Sequence, residues 1–284
     1  MNFKFLTFIT ILSISIFGCS NSITNSDTNI ILLHHSTGKI IWNGKQPSLI
    51  EKVLTKLGIE GSGNAEIPKL MKEYNSKNNT NYSITELTFP KSTPYGWNNY
   101  PYDYYNIWVK NAGEEPYMEE PTLEILTKKY QVILFKHCFP VCFIKPDEDS
   151  ANINSNLKTL ANYKLQYNAL KIKMHEFPKT KFIIWTGAAQ VKENISEESA
   201  QRANQFFNWV TQEWDEPEDN IYIWDLYNVE TDGTLYLKDE FAVANNNPHP
   251  NSLLAEKASN LLFNRIIDII ENDGKNTTLT GKNL

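Results

Sequence analysis

Short apolar runs alternate with longer segments of helical periodicity along most of the chain. The apolar runs predict five buried strands, at residues 29–35, 82–89, 131–137, 181–187 and 220–227. Apolar residues spaced three and four apart predict helices at 47–58, 66–77, 121–130, 154–177, 197–214 and 250–272. Nearly continuous apolar strands separated by helices are typical of a parallel sheet covered on both faces. The pattern therefore predicts a three-layer α/β/α fold around a central parallel five-stranded sheet.

The amino-terminal segment has a different pattern. Lys4 precedes an apolar run that stops at Phe17, and Cys19 follows after a single residue, Gly18. This resembles a bacterial lipoprotein signal at 1–18, with Cys19 as the lipidated residue; an ordinary signal peptide or an uncleaved anchor is the alternative. The expected organisation is then a flexible tether at 19–29, one domain at 30–272, and a polar, disordered tail at 273–284. We expect attachment to a membrane of the bacterial cell envelope through the lipid.

Charge narrows the range of partners. The formal net charge is −6 and the chain contains no block of Lys or Arg, whereas binding to phosphates of nucleic acid needs a concentrated basic surface. We therefore expect no nucleic-acid partner. Besides Cys19 the chain has Cys138 and Cys142, and in an exported protein these two either form a disulfide or remain half-buried thiols.

The first strand ends in a polar turn, His34-His35-Ser36-Thr37-Gly38-Lys39. A phosphate-binding loop needs a glycine five residues before its Gly-Lys pair, where this chain has Leu33, and Ser or Thr after the lysine, where it has Ile40. The Gly-Lys pair here is therefore not typical of such a loop. In parallel sheets, functional groups collect beyond the carboxyl ends of the strands. The hydroxyl of Ser36 is therefore expected at the functional edge of the sheet.

A histidine near the other end of the chain completes a candidate pair. His249 lies in a Pro-His-Pro turn just before the last predicted helix. A serine hydroxyl becomes a useful nucleophile when a positioned histidine takes its proton. Taken singly, a serine after a strand and a histidine before a helix are both common structural features, so it is their joint placement that points to nucleophilic catalysis.

This order of features resembles the SGNH (GDSL-type) hydrolases, over roughly residues 30–272, and implies their flavodoxin-like fold. Ser36 matches the nucleophile of that family and His249 its catalytic histidine. The family has an aspartate three residues before the histidine, where this chain has Asn246. The resemblance thus implies either Asn246 as the residue that orients His249, or a carboxylate from elsewhere in the chain: Asp225, Asp239 or Glu240.

The resemblance also implies a site for an oxyanion, with a second departure. The asparagine that serves as a donor in the family is missing, and the chain has Lys136-His137 in that region. Lys136 or His137 is expected to replace it. The backbone N–H of Ser36 and that of Gly96 would be the other donors, with His35 as a neighbour of the serine.

A metal site is the competing interpretation of the same edge. His34, His35, His137 and His249 could gather near one edge of the sheet, and three histidines can hold a catalytic zinc. However, neighbouring residues on an extended segment point in opposite directions, which separates His34 from His35. We therefore expect no metal and no other cofactor.

The loop after the second strand is rich in aromatic residues between positions 95 and 108. Flat aromatic rings suit sugar binding, but such residues also pack a long loop onto a sheet. Asp103, within this loop, either binds substrate or caps a helix.

Together these features predict a serine-dependent ester hydrolase. By family resemblance and expected location, the preferred substrate is an acetylated polysaccharide or another small ester at the cell envelope. The alternative is a catalytically degenerate lipoprotein that binds glycans on the same scaffold, because two of the family's polar groups are absent.

Overall fold

A five-stranded parallel sheet forms the centre of the molecule. The structure, a computed structural model, describes residues 27–45, 50, 65–147 and 150–284. The strands are β1 (Thr28–His34), β2 (Tyr82–Thr88), β3 (Val132–Lys136), β4 (Lys181–Trp185) and β5 (Ile221–Trp224). Their order is β2-β1-β3-β4-β5, which is the flavodoxin-like, doubly wound order. The predicted α/β class, the parallel sheet and the five strands are confirmed.

Helices connect the strands and cover the sheet. The α-helices are α1 (Ser36–Asn43), α2 (Glu66–Asn78), α3 (Pro101–Tyr105), α4 (Leu123–Leu126), α5 (Leu160–His175), α6 (Glu197–Trp209), α7 (Leu226–Thr231) and α8 (Ser252–Asn272). Single π-helical turns continue α3 at Asn106–Lys110 and α6 at Val210–Trp214, and short 3-10 turns lie at Phe139–Cys142, Lys192–Asn194 and Asp239–Phe241. None of the described helices is both long and apolar enough to cross a membrane.

The register of the strands determines which side chains share a face. Leu33 pairs with Phe135 across β1 and β3, so these two point to one face and their neighbours in sequence to the other. On the first face, Phe135 packs against Tyr104 of α3, with ring centroids 5.0 Å apart. On the second face, His34 lies directly under Gly38 of α1, where an added Cβ would be 2.4 Å from the His34 Cβ. The sheet is thus covered on both faces, with α1 against the second.

Several predicted segments have other boundaries or lie outside the described residues. The predicted helix at 154–177 begins only at Leu160, because Thr159 caps it by accepting a hydrogen bond from the N–H of Asn162. The predicted helix at 121–130 is a single turn. The fifth strand ends early, because Asp225 caps a helix, α7, that the pattern does not predict. The predicted signal at 1–18, Cys19, most of the tether and almost all of the predicted helix at 47–58 lie outside the described residues.

The carboxyl-terminal residues differ from the predicted disordered tail. The carbonyl of Leu279 accepts a hydrogen bond from the N–H of Asp225 at 2.8 Å, and that of Thr280 accepts one from the Trp224 indole at 3.1 Å. Arg265, buried on α8, donates to the carbonyl of Ile223 on β5 and to Gly274 in the tail. The tail therefore covers the end of the edge strand β5. Hydrogen bonds to β5 and Arg265 order its polar residues, which their composition alone does not predict.

Candidate active site

Ser36 and His249 meet at the carboxyl edge of the sheet. Ser36 is the first residue of α1, directly after β1, and it is exposed. His249 lies on a short hairpin of β6 (Ala242–Ala244) and β7 (Asn247–Pro250), which immediately precedes α8. The Ser36 hydroxyl lies 3.0 Å from His249 Nε2. Residues 213 positions apart in the sequence are thus in hydrogen-bond contact, as the predicted pair requires.

Asn247 determines which nitrogen of His249 carries the proton. Its Oδ1 lies 2.7 Å from His249 Nδ1 and also accepts the backbone N–H of His249 at 3.2 Å. A backbone N–H only donates, so the atom facing it must be the amide oxygen. Nδ1 must then be the donor to that oxygen, which leaves Nε2 as an acceptor for the Ser36 hydroxyl. This is the tautomer that general-base catalysis requires.

Asn246, the predicted orienting residue, is not the one that binds the histidine. Asn246 is exposed, and its carbonyl accepts a hydrogen bond from Asn194 at 3.3 Å. The reason is strand geometry. His249 is on β7, and residues two apart on a strand share a face whereas residues three apart do not. Position 247 therefore faces the imidazole and position 246 does not.

The three alternative carboxylates do not support His249 either. Asp225 accepts hydrogen bonds from the Thr186 hydroxyl at 2.6 Å and the N–H of Asn228 at 3.2 Å. Asp239 and Glu240 are exposed on the 3-10 turn before β6. Among the described side chains, the Ser36–His249 pair is completed by an amide and not by a carboxylate.

The environment of His249 favours its neutral form. Partial burial of the ring and the charge of Lys136 hold the pKa of His249 below its ordinary value. The ring of Phe139 packs edge-on against the imidazole, with centroids 5.1 Å apart. His249 is thus available as a base at a lower pH than an exposed histidine would be.

The start of α1 presents free backbone donors next to Ser36. The first N–H that donates back into the helix is that of Lys39, to the carbonyl of His35 at 2.9 Å. The N–H groups of the preceding residues have no acceptor within the helix, as at every helix start. They carry the partial positive charge of the helix terminus, which favours an anion at this position.

Gly96, predicted as a second donor, does not serve this purpose. Its N–H donates to the carbonyl of Ser92 at 2.6 Å within a tight turn, and its φ of 76° is in the left-handed region. The glycine is therefore explained by the turn that it forms. The prediction of Gly96 as an oxyanion donor is wrong in this conformation, because the donor is occupied.

The two histidines before Ser36 make contacts of their own. His35 is partly buried and donates through Nε2 to the carbonyl of Pro90. His34 is buried; its Nδ1 lies 2.8 Å from the carbonyl of His35, and its Nε2 lies 2.6 Å from Glu86 on β2. His35 thus fixes the loop after β2 next to the serine, whereas His34 belongs to the packing between β1, β2 and α1.

His137 is enclosed on the first face of the sheet. None of its surface is exposed, and its ring packs against Tyr104 at 4.8 Å and Tyr167 at 5.6 Å. Neither ring nitrogen has a partner among the described residues, and burial lowers the pKa of His137 to about 3. A neutral, enclosed imidazole does not reach a substrate, so the predicted role of His137 as an oxyanion donor is wrong.

Lys136 lies on the opposite face and is also fully enclosed. None of its surface is exposed, and its Nζ has no hydrogen-bond partner among the described atoms. Burial lowers the pKa of this lysine. Lys136 therefore does not reach a substrate bound at Ser36, and direct hydrogen bonding to an oxyanion is contradicted. Its charge nevertheless affects His249, as noted above.

Asp103 and the aromatic loop have structural roles. Asp103 Oδ2 accepts the backbone N–H groups of Asn98 and Asn99 at 2.7 and 2.6 Å, and burial raises its pKa to about 6. Most of the aromatic residues of the loop are buried: Trp97, Tyr100, Tyr104, Tyr105 and Trp108. Of the two predicted alternatives, the packing of the loop is the one observed, and Asp103 holds the turn before α3.

Cys138, Cys142 and the described histidines do not come together as a metal site would require. Cys138 and Cys142 are free thiols, and Cys142 donates to the carbonyl of Ala188 at 3.0 Å. In the part of the chain that the structure describes, no three metal-ligating side chains cluster. The histidines diverge because His34 and His137 point to opposite faces of the sheet.

The chain is similar to known proteins only at the level of structure. The sequence matches no family model and no curated protein. The crystal structure of an acetyl xylan esterase, AlAXEase, is similar, with 14% identity and a TM-score of 0.42 over 81% of this chain and 96% of that chain. A carbohydrate esterase whose active site displays divergent catalytic and non-catalytic binding functions is similar at 12% identity and a TM-score of 0.38, over 85% of this chain and 65% of that chain. At these values the likeness carries no argument about the chemistry of the site.

Sequence reasoning missed two residues of this region. Asn247 was adjacent to the predicted position, and the alternation of a strand at 247–250 would have identified it. Glu230 is fully buried on α7 near Lys136. No signal in the sequence singles it out, because α7 itself is not predicted.

Proposed function

We propose that this chain is a serine-dependent ester hydrolase of the SGNH type. The observation that carries the proposal is the chain of contacts from Ser36 Oγ to His249 Nε2, and from His249 Nδ1 to Asn247 Oδ1. A nucleophile, a base and a group that orients the base are all within hydrogen-bond distance, and the tautomer of His249 is the productive one.

The reaction follows from these positions. His249 Nε2 takes the proton of Ser36 as Oγ attacks the ester carbonyl, and the developing oxyanion is stabilised by the free N–H groups at the start of α1. The tetrahedral intermediate then collapses. His249 gives its proton to the leaving alcohol, and the acyl group remains on Ser36. Water, deprotonated by His249, releases the acid by the same steps in reverse order.

The group that orients His249 is the amide of Asn247, whereas a Ser-His-Asp triad has a carboxylate in that position. An amide oxygen orients the imidazole but does not neutralise the imidazolium that forms during the reaction. With Lys136 nearby, this cation is further disfavoured. We therefore expect moderate rates, and activity that persists to a lower pH than is usual for a histidine base.

For the substrate, we propose an acetyl ester carried by a polysaccharide at the bacterial cell envelope. The exposure of Ser36 at the sheet edge suits a small acyl group on a large molecule. The proposed envelope location, with a lipid on Cys19, rests on the resemblance of residues 1–19 to a lipoprotein signal.

A serine-reactive fluorophosphonate tests the mechanism. Full-length protein in detergent should gain the mass of one adduct, and Ser36→Ala should gain none while remaining folded by circular dichroism. A second assay should detect acetate release from acetylated xylan, again absent in Ser36→Ala. If the folded wild-type protein forms no adduct, the serine mechanism fails.

A glycan-binding protein without activity is the second candidate. The observation that favours it is the missing carboxylate at His249, since Asp225 is committed to Thr186. In that case Ser36→Ala would bind acetylated xylan as well as wild-type protein, and neither would release acetate.

A further inference from the structure

Lys136 lies on the face of the sheet that α1 covers. Leu33 and Phe135 share one face of the sheet, so Lys136 points to the other face, which α1 covers. Its strand partner there is Trp185. The side chain is fully buried, and Nζ has no partner among the described atoms. Such a position is costly for an ammonium unless an acidic group compensates it.

Glu230 is the carboxyl group whose charge acts on Lys136. It is fully buried on α7. One oxygen accepts the N–H of Ala189 at 2.6 Å and lies 3.0 Å from where a Cβ on Gly187 would be. The other oxygen, Oε1, has no partner among the described residues. Burial raises the pKa of Glu230 to about 8, while the N–H of Ala189 and the charge of Lys136 act in the opposite direction.

Other titratable groups interact with this pair: two thiols, one just before and one on the 3-10 turn after β3, and three imidazoles, of which His35 and His249 lie at the site and His137 is enclosed. The titratable groups that act on Lys136 or Glu230, or on which Lys136 acts, are Cys138, Cys142, His35, His137, His249 and Asp225. The hydroxyl of Thr37, in the first turn of α1, is also buried without a partner in the described part of the chain. Thr37 thus has a polar atom without a partner among the described residues directly next to the nucleophile.

We propose that Lys136 and Glu230 are positioning residues that set the electrostatic potential at the Ser36–His249 pair. While Glu230 is protonated, the ammonium of Lys136 places an uncompensated positive charge on the face of the sheet that α1 covers. Ionisation of Glu230 cancels that charge. The inference rests on the proposed esterase function and adds to it the group that controls the upper end of its pH range.

The physical consequence has a definite sign at each end of the pH range. In a low-dielectric interior a charge acts over several ångströms without contact. The ammonium stabilises an oxyanion at the start of α1 and lowers the pKa of His249, which extends activity downward in pH. As the pH rises through about 8, Glu230 loses its proton and the ion pair that forms no longer supports the oxyanion. The rate should therefore decline at this pH.

The rate constant for fluorophosphonate labelling tests this between pH 5 and pH 10, using full-length protein in detergent. Glu230→Gln keeps the shape of the protonated acid and an acceptor for Ala189, but it does not ionise. The profile of this rate constant against pH has a lower limb, where the rate rises, and an upper limb, where it declines. We expect the lower limb of Glu230→Gln to match that of wild type. Its upper limb should move up by roughly one pH unit or more, toward the pH at which Lys136 itself loses its proton.

Lys136→Met removes the charge with little change in size. Its lower limb should move up toward pH 6.5, and its plateau should fall by roughly tenfold or more, since electrostatic support of an oxyanion is commonly worth at least that. Lys173→Met is the matched control. Lys173 is also largely buried, but it pairs with Glu124 near the carboxyl end of α5, and its variant should keep both limbs.

A second readout does not depend on activity. With ¹³C-labelled histidine, the Cε1–H signal that disappears in His249→Ala reports the pKa of His249. We expect this pKa to rise in Lys136→Met and to stay unchanged in Glu230→Gln, because Glu230 is already protonated where His249 titrates.

The outcomes separate the two proposals. An upper limb that stays near pH 8 in Glu230→Gln overturns the role of Glu230, and an unchanged pKa of His249 in Lys136→Met overturns the role of Lys136. Should Lys136→Met fail to fold, Glu230→Gln alone decides through its upper limb. If wild-type protein is never labelled, the esterase function fails, while the NMR titration still shows whether the charge of Lys136 reaches His249.

Discussion

Two histidines at the same edge of the sheet have opposite environments. His249, on the β6–β7 hairpin, is half-buried, and both of its ring nitrogens have partners, Ser36 and Asn247. His137, one residue past β3, is fully buried, and neither nitrogen has a partner in the described structure. Both follow strands or precede helices in the way that functional residues do, yet only His249 is equipped for proton transfer.

The difference shows that the face to which a histidine points decides its role more than its position at the edge of the sheet does. The backbone at the end of β3 turns His137 inward, against Tyr104 and Tyr167. The hairpin holds His249 above the end of the sheet, where Phe139 supports its ring. Position at a strand end is thus necessary for a functional role but not sufficient, and hydrogen-bond partners decide between a catalytic and a structural histidine.

The largest expected effect separates the two histidines by reactivity. His249→Ala should slow fluorophosphonate labelling by roughly 10²–10⁴-fold, because the general base is lost. His137→Leu should be labelled within about twofold of wild type, because the ring touches neither the serine nor its base. The measurement is the second-order labelling rate constant at pH 7.5. A large loss in His137→Leu, with the fold intact, would contradict the comparison.

The next effect concerns stability in acid. Burial lowers the pKa of His137 from its ordinary value of 6.5 to about 3, so the unfolded chain binds a proton between these values and the folded chain does not. Stability from this group is therefore present above pH 6.5 and is lost as the pH falls below it. Between pH 7 and pH 5 the loss is ~2 kcal/mol.

His137→Leu isolates that contribution. Urea unfolding at pH 7 and at pH 5 gives the decrease in the free energy of unfolding between these two pH values. This decrease should be smaller by ~2 kcal/mol in the variant than in wild type. His249→Leu is a suitable control, because the pKa of His249 is less perturbed than that of His137. The decrease in this variant should therefore differ less from that of wild type. Equal decreases in wild type and His137→Leu would show that His137 takes up a proton without unfolding.

The smallest expected effect distinguishes two adjacent asparagines. Asn247→Ala should slow labelling by about tenfold or more, because His249 loses the group that fixes its tautomer. Asn247→Asp should instead raise the pKa of His249, since a carboxylate stabilises the imidazolium, and the lower limb of the rate profile should move to higher pH.

Asn246→Asp is the control for this series. Position 246 is exposed and its side chain does not bind the imidazole, so the variant should show the wild-type profile within about 0.3 pH units, as screened surface charges usually do. A shift in Asn246→Asp as large as that in Asn247→Asp would restore the residue expected from the family resemblance.

The sequence predicted the sheet well because strand burial has a local signature. Apolar runs identified the strands, most clearly the four with buried residues, whereas the edge strand β2 has no buried residue. The alternation of strands with helices correctly predicted a parallel sheet. Helix ends were predicted less well, because a cap such as Thr159 or Asp225 acts within a few residues and is easily overruled by a periodic pattern. The tail shows the same limit, since its polar residues are ordered by Arg265 and β5, which lie far away in the sequence.

The chain alone therefore determined the class of fold, the approximate strands and the pairing of Ser36 with His249, since each depends on local periodicity or on the order of elements. Only the tertiary structure decided which neighbours act on that pair. It replaced Asn246 with Asn247, removed Gly96 and His137 from the site, and buried Lys136 and Glu230 in the interior. Which face a side chain points to, and which partners it meets there, depends on contacts between distant segments that no local pattern encodes.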